Sequence, residues 1–428
     1  MERFLKQCTR AALGVTLAAV LLAGCAGQEA GQSASAPPMS ESAAQTDGAA
    51  VEQLLKGEHT LTALPTGYMD TPLTQTGQGL YEFVNLTDRY LLCYVDYAAG
   101  TRTPLCDVAG CAHADESCPA YTRNYRNVAV TGDWVLTVGS EINEDYSMDA
   151  RRLDGSGKKV LFSDLGEPVP YPYGFAREGD KVWLAIKGKA VLLDPATGEM
   201  EEGAVLPESF TDVGVLGSGV LRIFSNGEEL MEEHYQPTGD LEADFRQEQE
   251  IRAQSAMTLS AWDPRTGEET ELMNWNEGEW RFLRVWNNKV ILLNEEQGRI
   301  EARDLITGEA SALVENWPED QYIALSSLWD DHLILETTWE AEPDNSATWQ
   351  ECMFALDLVS GELTEITLRN HGGQGTPLSR VLGESEDKFY VVYSTPSRGE
   401  PEGTRAMISK ADFYAGVDSM VAIKDVFR

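Results

Sequence analysis

A single hairpin recurs four times along the chain, and a repeated hairpin restricts the possible folds more than any other feature of the sequence. The copies are Leu193-Asp194-Pro195-Ala196-Thr197-Gly198-Glu199, Trp262-Asp263-Pro264-Arg265-Thr266-Gly267-Glu268, Arg303-Asp304-Leu305-Ile306-Thr307-Gly308-Glu309 and Leu356-Asp357-Leu358-Val359-Ser360-Gly361-Glu362. Each joins two apolar runs, so the glycine supplies the positive φ of the turn and the aspartate caps it through nearby backbone. Repetition of one antiparallel unit at this spacing points to an array of small sheets, and the natural closed array is a β-propeller.

A second repeat sets the number of sheets. A polar turn precedes a short apolar strand at Thr87-Asp88, Gly132-Asp133, Gly179-Asp180, Gly217-Ser218-Gly219, Asn287-Asn288, Asp330-Asp331 and Glu386-Asp387. The last residues of these turns lie 45, 47, 39, 69, 43 and 56 residues apart. A four-stranded blade takes roughly 40 to 50 residues. The spacing therefore predicts an all-β, seven-bladed β-propeller, with six or eight blades as alternatives. The long gap predicts an insertion in blade four, from about Glu228 to Met257. Within it, Asp240 offers an N-cap, and Leu241, Phe245 and Ile251 form a narrow apolar stripe, so a short helix is expected. The hairpins of copies one, two and seven diverge, as Asp96-Tyr97-Ala98-Ala99-Gly100, Asp154-Gly155-Ser156-Gly157 and Asp412-Phe413-Tyr414-Ala415-Gly416. Terminal repeats are commonly atypical.

The first residues read as an address. Arg3, Lys6 and Arg10 precede an apolar run from Ala11 to Ala23, which has the layout and length of a signal peptide and is too short to span a bilayer. The run ends in Leu22-Ala23-Gly24-Cys25, which resembles the lipobox of bacterial lipoproteins, where the cysteine is acylated and becomes the new N-terminus. Residues 26–50 are nearly all Ala, Gly, Ser, Gln, Pro and Glu, a composition that cannot bury a core. The expected organisation is a signal peptide over 1–24, lipidated Cys25 with a tether over 25–52, and the propeller over 53–428, on the outer side of the cell membrane. The chain carries a formal net charge of −37, from 33 basic and 70 acidic residues. That sign repels phosphate backbones and excludes nucleic acid as a partner, while keeping an exposed protein soluble.

The cysteines carry the sharpest chemical signal. Cys93 and Cys352 lie in apolar strands and read as small core residues. Cys106, Cys111, His113 and Cys118 instead form a C-x4-C-x-H-x4-C cluster, a donor set that suits tetrahedral zinc. Outside the cytoplasm the same thiols could pair, so metal, disulfide and free thiols stay open at this stage.

The lipobox, the low-complexity tether, the P-L-C-x4-C-x-H-x4-C-x-A segment and the strands ending in D-x-x-T-G-E together resemble the lipid-anchored propeller lipoproteins of anaerobic Gram-positive bacteria. The hairpins are also similar to those of quinoprotein-like and TolB-like propellers. The resemblance implies a propeller on a lipid anchor and brings no activity with it.

Other candidate residues are absorbed by the repeat. Asp330-Asp331-His332 fills the turn position held by Asn288 and Asp387 in sister blades, and His371-Gly372-Gly373 has no accompanying nucleophile elbow. Asn143, Asp145, Ser147, Asp149 and Asp154 have calcium-loop spacing but lack the central glycine, and read as a solvated loop. Trp134, Trp183, Trp286 and Trp329 sit in the repeated turn and strand and are expected in the core, whereas Trp275, Trp280, Trp339 and Trp349 are candidate platforms for a ligand. The reading that results is a non-catalytic, lipid-anchored binding or protein-interaction module for an unknown protein or glycan ligand. A glycoside hydrolase or lyase acting on glycans, and an envelope-assembly scaffold, are the alternatives.

Overall fold

In the computed structural model the described residues are 48–426, apart from 58, 65–72, 87–88, 123–126, 141–145, 163–172, 208–209, 319–320, 341–348, 372–379 and 395–403. They form seven sheets arranged as a β-propeller, antiparallel apart from one pairing at the ring's closure, in the number the spacing of the turns predicts. In blade five, for example, Arg281–Trp286, Lys289–Asn294, Arg299–Asp304 and Ala310–Val314 run in that order from the inner to the outer edge. The first strands of neighbouring blades meet around the central axis.

The repeated hairpins all join the third strand to the fourth, and they share one hydrogen-bond pattern. In blade three the Asp194 amide donates to Glu199 O, and the Gly198 amide to Asp194 O. Asp194 Oδ1 accepts from the amides of Ala196 and Thr197, and Thr197 Oγ1 accepts from the Glu199 amide. The bonds recur in full at Asp304 and Asp357, and at Asp263 with the first of the two amides on its Oδ1, and φ lies between 74° and 83° at Gly198, Gly267, Gly308 and Gly361.

From blade two onward the other set of turns joins the first strand to the second. Asn287-Asn288 and Asp330-Asp331 have positive φ at both residues, the type I′ geometry that matches strand twist. Blade one departs from the expected alignment. Thr87 and Asp88 lie outside the described residues, yet they connect Gly79–Asn85 to Tyr90–Asp96, the second and third strands of that blade. The turn equivalent to the other six is Gly77-Gln78, between Leu73–Thr76 and Gly79–Asn85. The marker slipped by one strand, which left the blade count intact. Copy seven differs as well: its expected hairpin is the short helix Lys410–Ala415, capped by Ser409 Oγ at one end and by left-handed Gly416 at the other.

This arrangement makes the two ends of the ring unlike. The turns between first and second strands and the repeated hairpins cluster at one end, called here the hairpin end. The opposite, loop end carries the links between second and third strands and the crossings between blades. The blade-four insertion lies there as two helices, Gly227–His234 and Leu241–Arg252, between strands Gly219–Ser225 and Ala256–Trp262. Asp240 caps the second helix by accepting from the Glu242 and Ala243 amides, and Ile251 on its last turn is buried.

Both ends of the described residues are built into the ring. The last strand, Lys424–Asp425, adds parallel to Thr101–Pro104, the outer strand of blade one. Beneath this seam Arg102 bridges Glu82 Oε1 at 2.9 Å and Asp425 Oδ1 at 2.8 Å, and the Tyr390 hydroxyl of blade seven donates to Glu82 at 2.7 Å. At the start of the described residues helix Gly48–Leu55 packs on the hairpin end with Val51 fully buried beside Leu216 and Leu305. It begins five residues before the propeller boundary read from composition, because one buried valine and Leu54 are enough to hold it against the ring. Thr62–Ala63 then pairs with the innermost strand of blade three, entering the central channel.

Candidate metal centre

Cys106, Cys111, His113 and Cys118 sit in an excursion from the outer strand of blade one. Thr101–Pro104 pairs with Tyr90–Asp96, the chain then leaves the sheet, and Tyr121–Thr122 resumes pairing with the same strand. Both ends of the excursion are fastened to one residue. The Leu105 amide donates to Leu92 O at 2.8 Å, and the Leu92 amide donates to Ala120 O at 2.9 Å. The residues between are a loop pinched at its neck.

Tight turns within the loop aim the four side chains at a common point. The Cys111 amide bonds Val108 O, and Cys118 is placed by its amide on Asp115 O, in a turn braced by Asp115 Oδ1 and Ser117. Gly110 and His113 are left-handed, at φ 72° and 51°, which reverses the chain on either side of Cys111. Blade two supports the base: Arg151, paired with Asp149, donates to Pro119 O, and Lys158 donates to the same oxygen at 3.3 Å.

The three sulfurs and one imidazole nitrogen all lie within 4.8 Å of one another. All three cysteines are free thiols, so the disulfide alternative is not the one the structure adopts. His113 Nδ1 is 3.2 Å from Cys118 Sγ, and Cys111 Sγ accepts from the His113 amide at 3.4 Å. The group is close enough to hold a metal ion. Burial lowers the His113 pKa, which keeps the ring neutral with a lone pair to offer. The amide of His113 lowers the Cys111 thiol, whereas burial pushes Cys118 up to about 12. A cation is the missing charge that would let both act as thiolates.

The remaining candidates fall elsewhere. Trp275 and Trp280 are 3% and 7% exposed, so they are core residues and not ligand platforms. Trp275 Nε1 donates to Trp280 O at 3.1 Å and its ring stacks on Phe282, which satisfies its polar edge inside the blade. Trp339 and Trp349 lie on paired strands of blade six, in the registers Trp339↔Gln350 and Glu340↔Trp349. Trp134, Trp183 and Trp286 are buried as expected, as are Cys93 and Cys352. Asp149 is buried in a strand against Arg151 and not in a solvated loop, while Asn143 and Asp145 lie outside the described residues. His332 belongs to its turn, its Nδ1 2.6 Å from Asp330 O and its ring stacked on Tyr414. His371 is exposed and paired with Asp418 at 2.6 Å. Cys25 lies outside the described residues.

The sequence did not single out two perturbed carboxyls. Burial pushes Asp212 up to about 6. It pushes Glu336 up to about 7, with Arg380 opposing the rise and Glu351 adding to it. The registers Glu336↔Met353 and Thr338↔Glu351 put both glutamates on one face of blade six. Nothing in the sequence separates them from the chain's many other acidic residues.

No protein-family model matches the chain, and no curated protein matches it. Among solved structures it is similar to an oligogalacturonate lyase from Vibrio parahaemolyticus, 11% identical over 86% of each chain with a TM-score of 0.45. It is also similar to the β-propeller domain of the Trilobed protease from Pyrococcus furiosus, 8% identical over 82% of this chain and 98% of that one, with a TM-score of 0.43. A puromycin-hydrolyzing peptidase of Mycobacterium tuberculosis is 13% identical over 87% of this chain and 55% of that chain, with a TM-score of 0.45. This chain therefore spans about half the length of that peptidase. The chain is a seven-bladed β-propeller with propeller neighbours of differing activities.

Proposed function

We propose that the protein is a non-catalytic binding or protein-interaction module, carried outside the cytoplasm on a lipid at Cys25, with zinc as a structural staple in blade one. The observation that carries this reading is the inequality of the two ends. Every repeated hairpin is at one end, and the irregular connections, including the helical pair Gly227–His234 and Leu241–Arg252, are at the other. Variable loops on a rigid ring are where such scaffolds place their binding surface. Zinc is the ion proposed because three soft sulfurs and an imidazole satisfy its tetrahedron completely and leave no open position for a substrate. The burial of Trp275 and Trp280 removes two of the four candidate platforms for a ligand, so the reading does not rest on them.

The test replaces residues 227–254 with a two-residue Asn-Gly turn in the full chain. Chemical crosslinking in cells followed by mass spectrometry of the tagged protein should recover a partner with the native chain and lose it with the shortened one. A partner captured equally by both would place the binding surface elsewhere. Release of reducing ends from polysaccharides by the native chain would overturn the non-catalytic reading.

A further inference from the structure

We propose that the hairpin end of the propeller faces the membrane and the loop end points away from it. The inference rests on the lipid-anchor reading of Cys25, and it is carried by the path of the first described residues. Helix Gly48–Leu55 is fixed on the hairpin end by several independent contacts. Val51 is buried in the cluster that holds Leu216 and Leu305, and Gly48 abuts Ile306 in the repeated hairpin of blade five. Leu54 O accepts from the Ser218 amide at 3.2 Å, and the Leu61 amide donates to Gly217 O at 2.8 Å, both at the first turn of blade four. The chain then runs from the hairpin end into the channel, with Thr62↔Arg177 and Ala63↔Ala176 in register on blade three. Gly48, which the segment from Cys25 joins, therefore sits at the hairpin end.

The length of that segment decides whether the exit point matters. About 23 residues separate Cys25 from Gly48. The composition of that stretch is that of the expected tether, and a tether of this length would span roughly 25–30 Å. A seven-residue strand is about 23 Å tall, so a bilayer touching the loop end would require the segment to pass the full height and half the width of the ring. That demands an extension well beyond its preferred span, and the hairpin end is the one held near the lipid. The same end carries Asp263, Glu268, Asp304, Glu309, Asp357 and Glu362, which repel anionic headgroups. The propeller thus stands off the bilayer at tether length, with its loop end presented to partners.

The experiment uses the mature lipidated chain on vesicles of phosphatidylcholine and phosphatidylglycerol, with a hydroxyl-radical source attached to a lipid headgroup. Oxidation is read by mass spectrometry and divided, residue by residue, by oxidation from a source free in solution. Met200 and Val359 report the hairpin end, at 51% and 75% exposed, and Tyr322 and Phe224 the loop end, at 54% and 36%. The expected result is at least a threefold enrichment of the first pair over the second. Equal ratios, or enrichment of Tyr322 and Phe224, would overturn the orientation. Failure of the protein to float with the vesicles would instead overturn the anchor reading, and the two failures are distinct.

Discussion

With zinc held at the Cys/His cluster as proposed, loss of one of its ligands should be felt beyond the loop that carries it. Cys111→Ser removes a thiolate from the Cys106–Cys118 cluster and frees the tip of an excursion whose neck and base are otherwise held by the two bonds at Leu92 and by Arg151 and Lys158 on Pro119 O. Cross-linking a loop of this size restrains the unfolded chain by about 3 kcal/mol. Unfolding entropy of about 2.1 cal/mol/K per residue over roughly 380 residues converts that into a fall in Tm of about 4 °C. The effect should then reach the closing seam. Cys106 follows by two residues the strand Thr101–Pro104, to which the last strand of the chain is paired. The amides of Lys424 and Val426 donate to Gly100 and Arg102 oxygens, so hydrogen exchange at those two amides should accelerate in the variant, and equally in native protein stripped by a chelator. Zinc is measured by mass spectrometry in both samples, at one atom per native chain. An unchanged melt with the metal verified as absent would refute the staple, and exchange that rises only within the loop would refute its link to the seam.

Other perturbations test other parts of the reading. Arg102→Ala should destabilise the fold by about 3–5 kcal/mol in denaturant titrations, because Glu82, with its side chain 1% exposed, would lose its guanidinium partner at 2.9 Å and keep only the more distant Arg405 at 3.9 Å; a loss under 1 kcal/mol would show that the seam does not depend on this pair. Gly267→Ala forces a side chain onto φ 79° and brings its Cβ within 3.1 Å of Ala204, so a cost of about 1–2 kcal/mol is expected in the same assay. For Glu336 the folded pKa of about 7 lies above the ordinary 4.5, so the fold favours the protonated group; its contribution is full below pH 4.5 and is lost as pH rises towards 7. Glu336→Gln should therefore raise Tm relative to the native chain more at pH 8 than at pH 5, and an equal difference at both would refute the assignment. Cys25→Ser should shift the protein from the membrane fraction to the medium or leave it unprocessed, and unchanged membrane retention would refute the lipobox.

What the sequence made legible was local, and what it hid depended on contacts between distant residues. The repeated hairpin could be read because its aspartate, its Thr or Ser hydroxyl and its glycine satisfy one another within six residues, as at Asp263, Thr266 and Gly267. The blade-four helix could be read for the same reason, since Asp240 caps amides two and three residues ahead. The first blade could not be aligned, because Gly77-Gln78 and Thr87-Asp88 are equally good turns and only the pairing of Leu73–Thr76 with Gly79–Asn85 distinguishes them. Trp275 and Trp280 were misplaced because irregular flanking sequence says nothing about which face a strand buries. The register of Glu269–Asn276 shifts at Leu259/Ser260, and one such slip moves a side chain from one face to the other. The Cys/His cluster lies between these cases. Its donors could be read from spacing, but its place could not, since the neck at Leu92 and the support from Arg151 bring together residues 13 and 32 positions apart. The same holds at the ring's seam, where Arg102 and Asp425 meet across 323 residues. A closed ring has to join its ends through such contacts, and for that reason the parts of this chain that fasten the propeller are the parts its sequence least discloses.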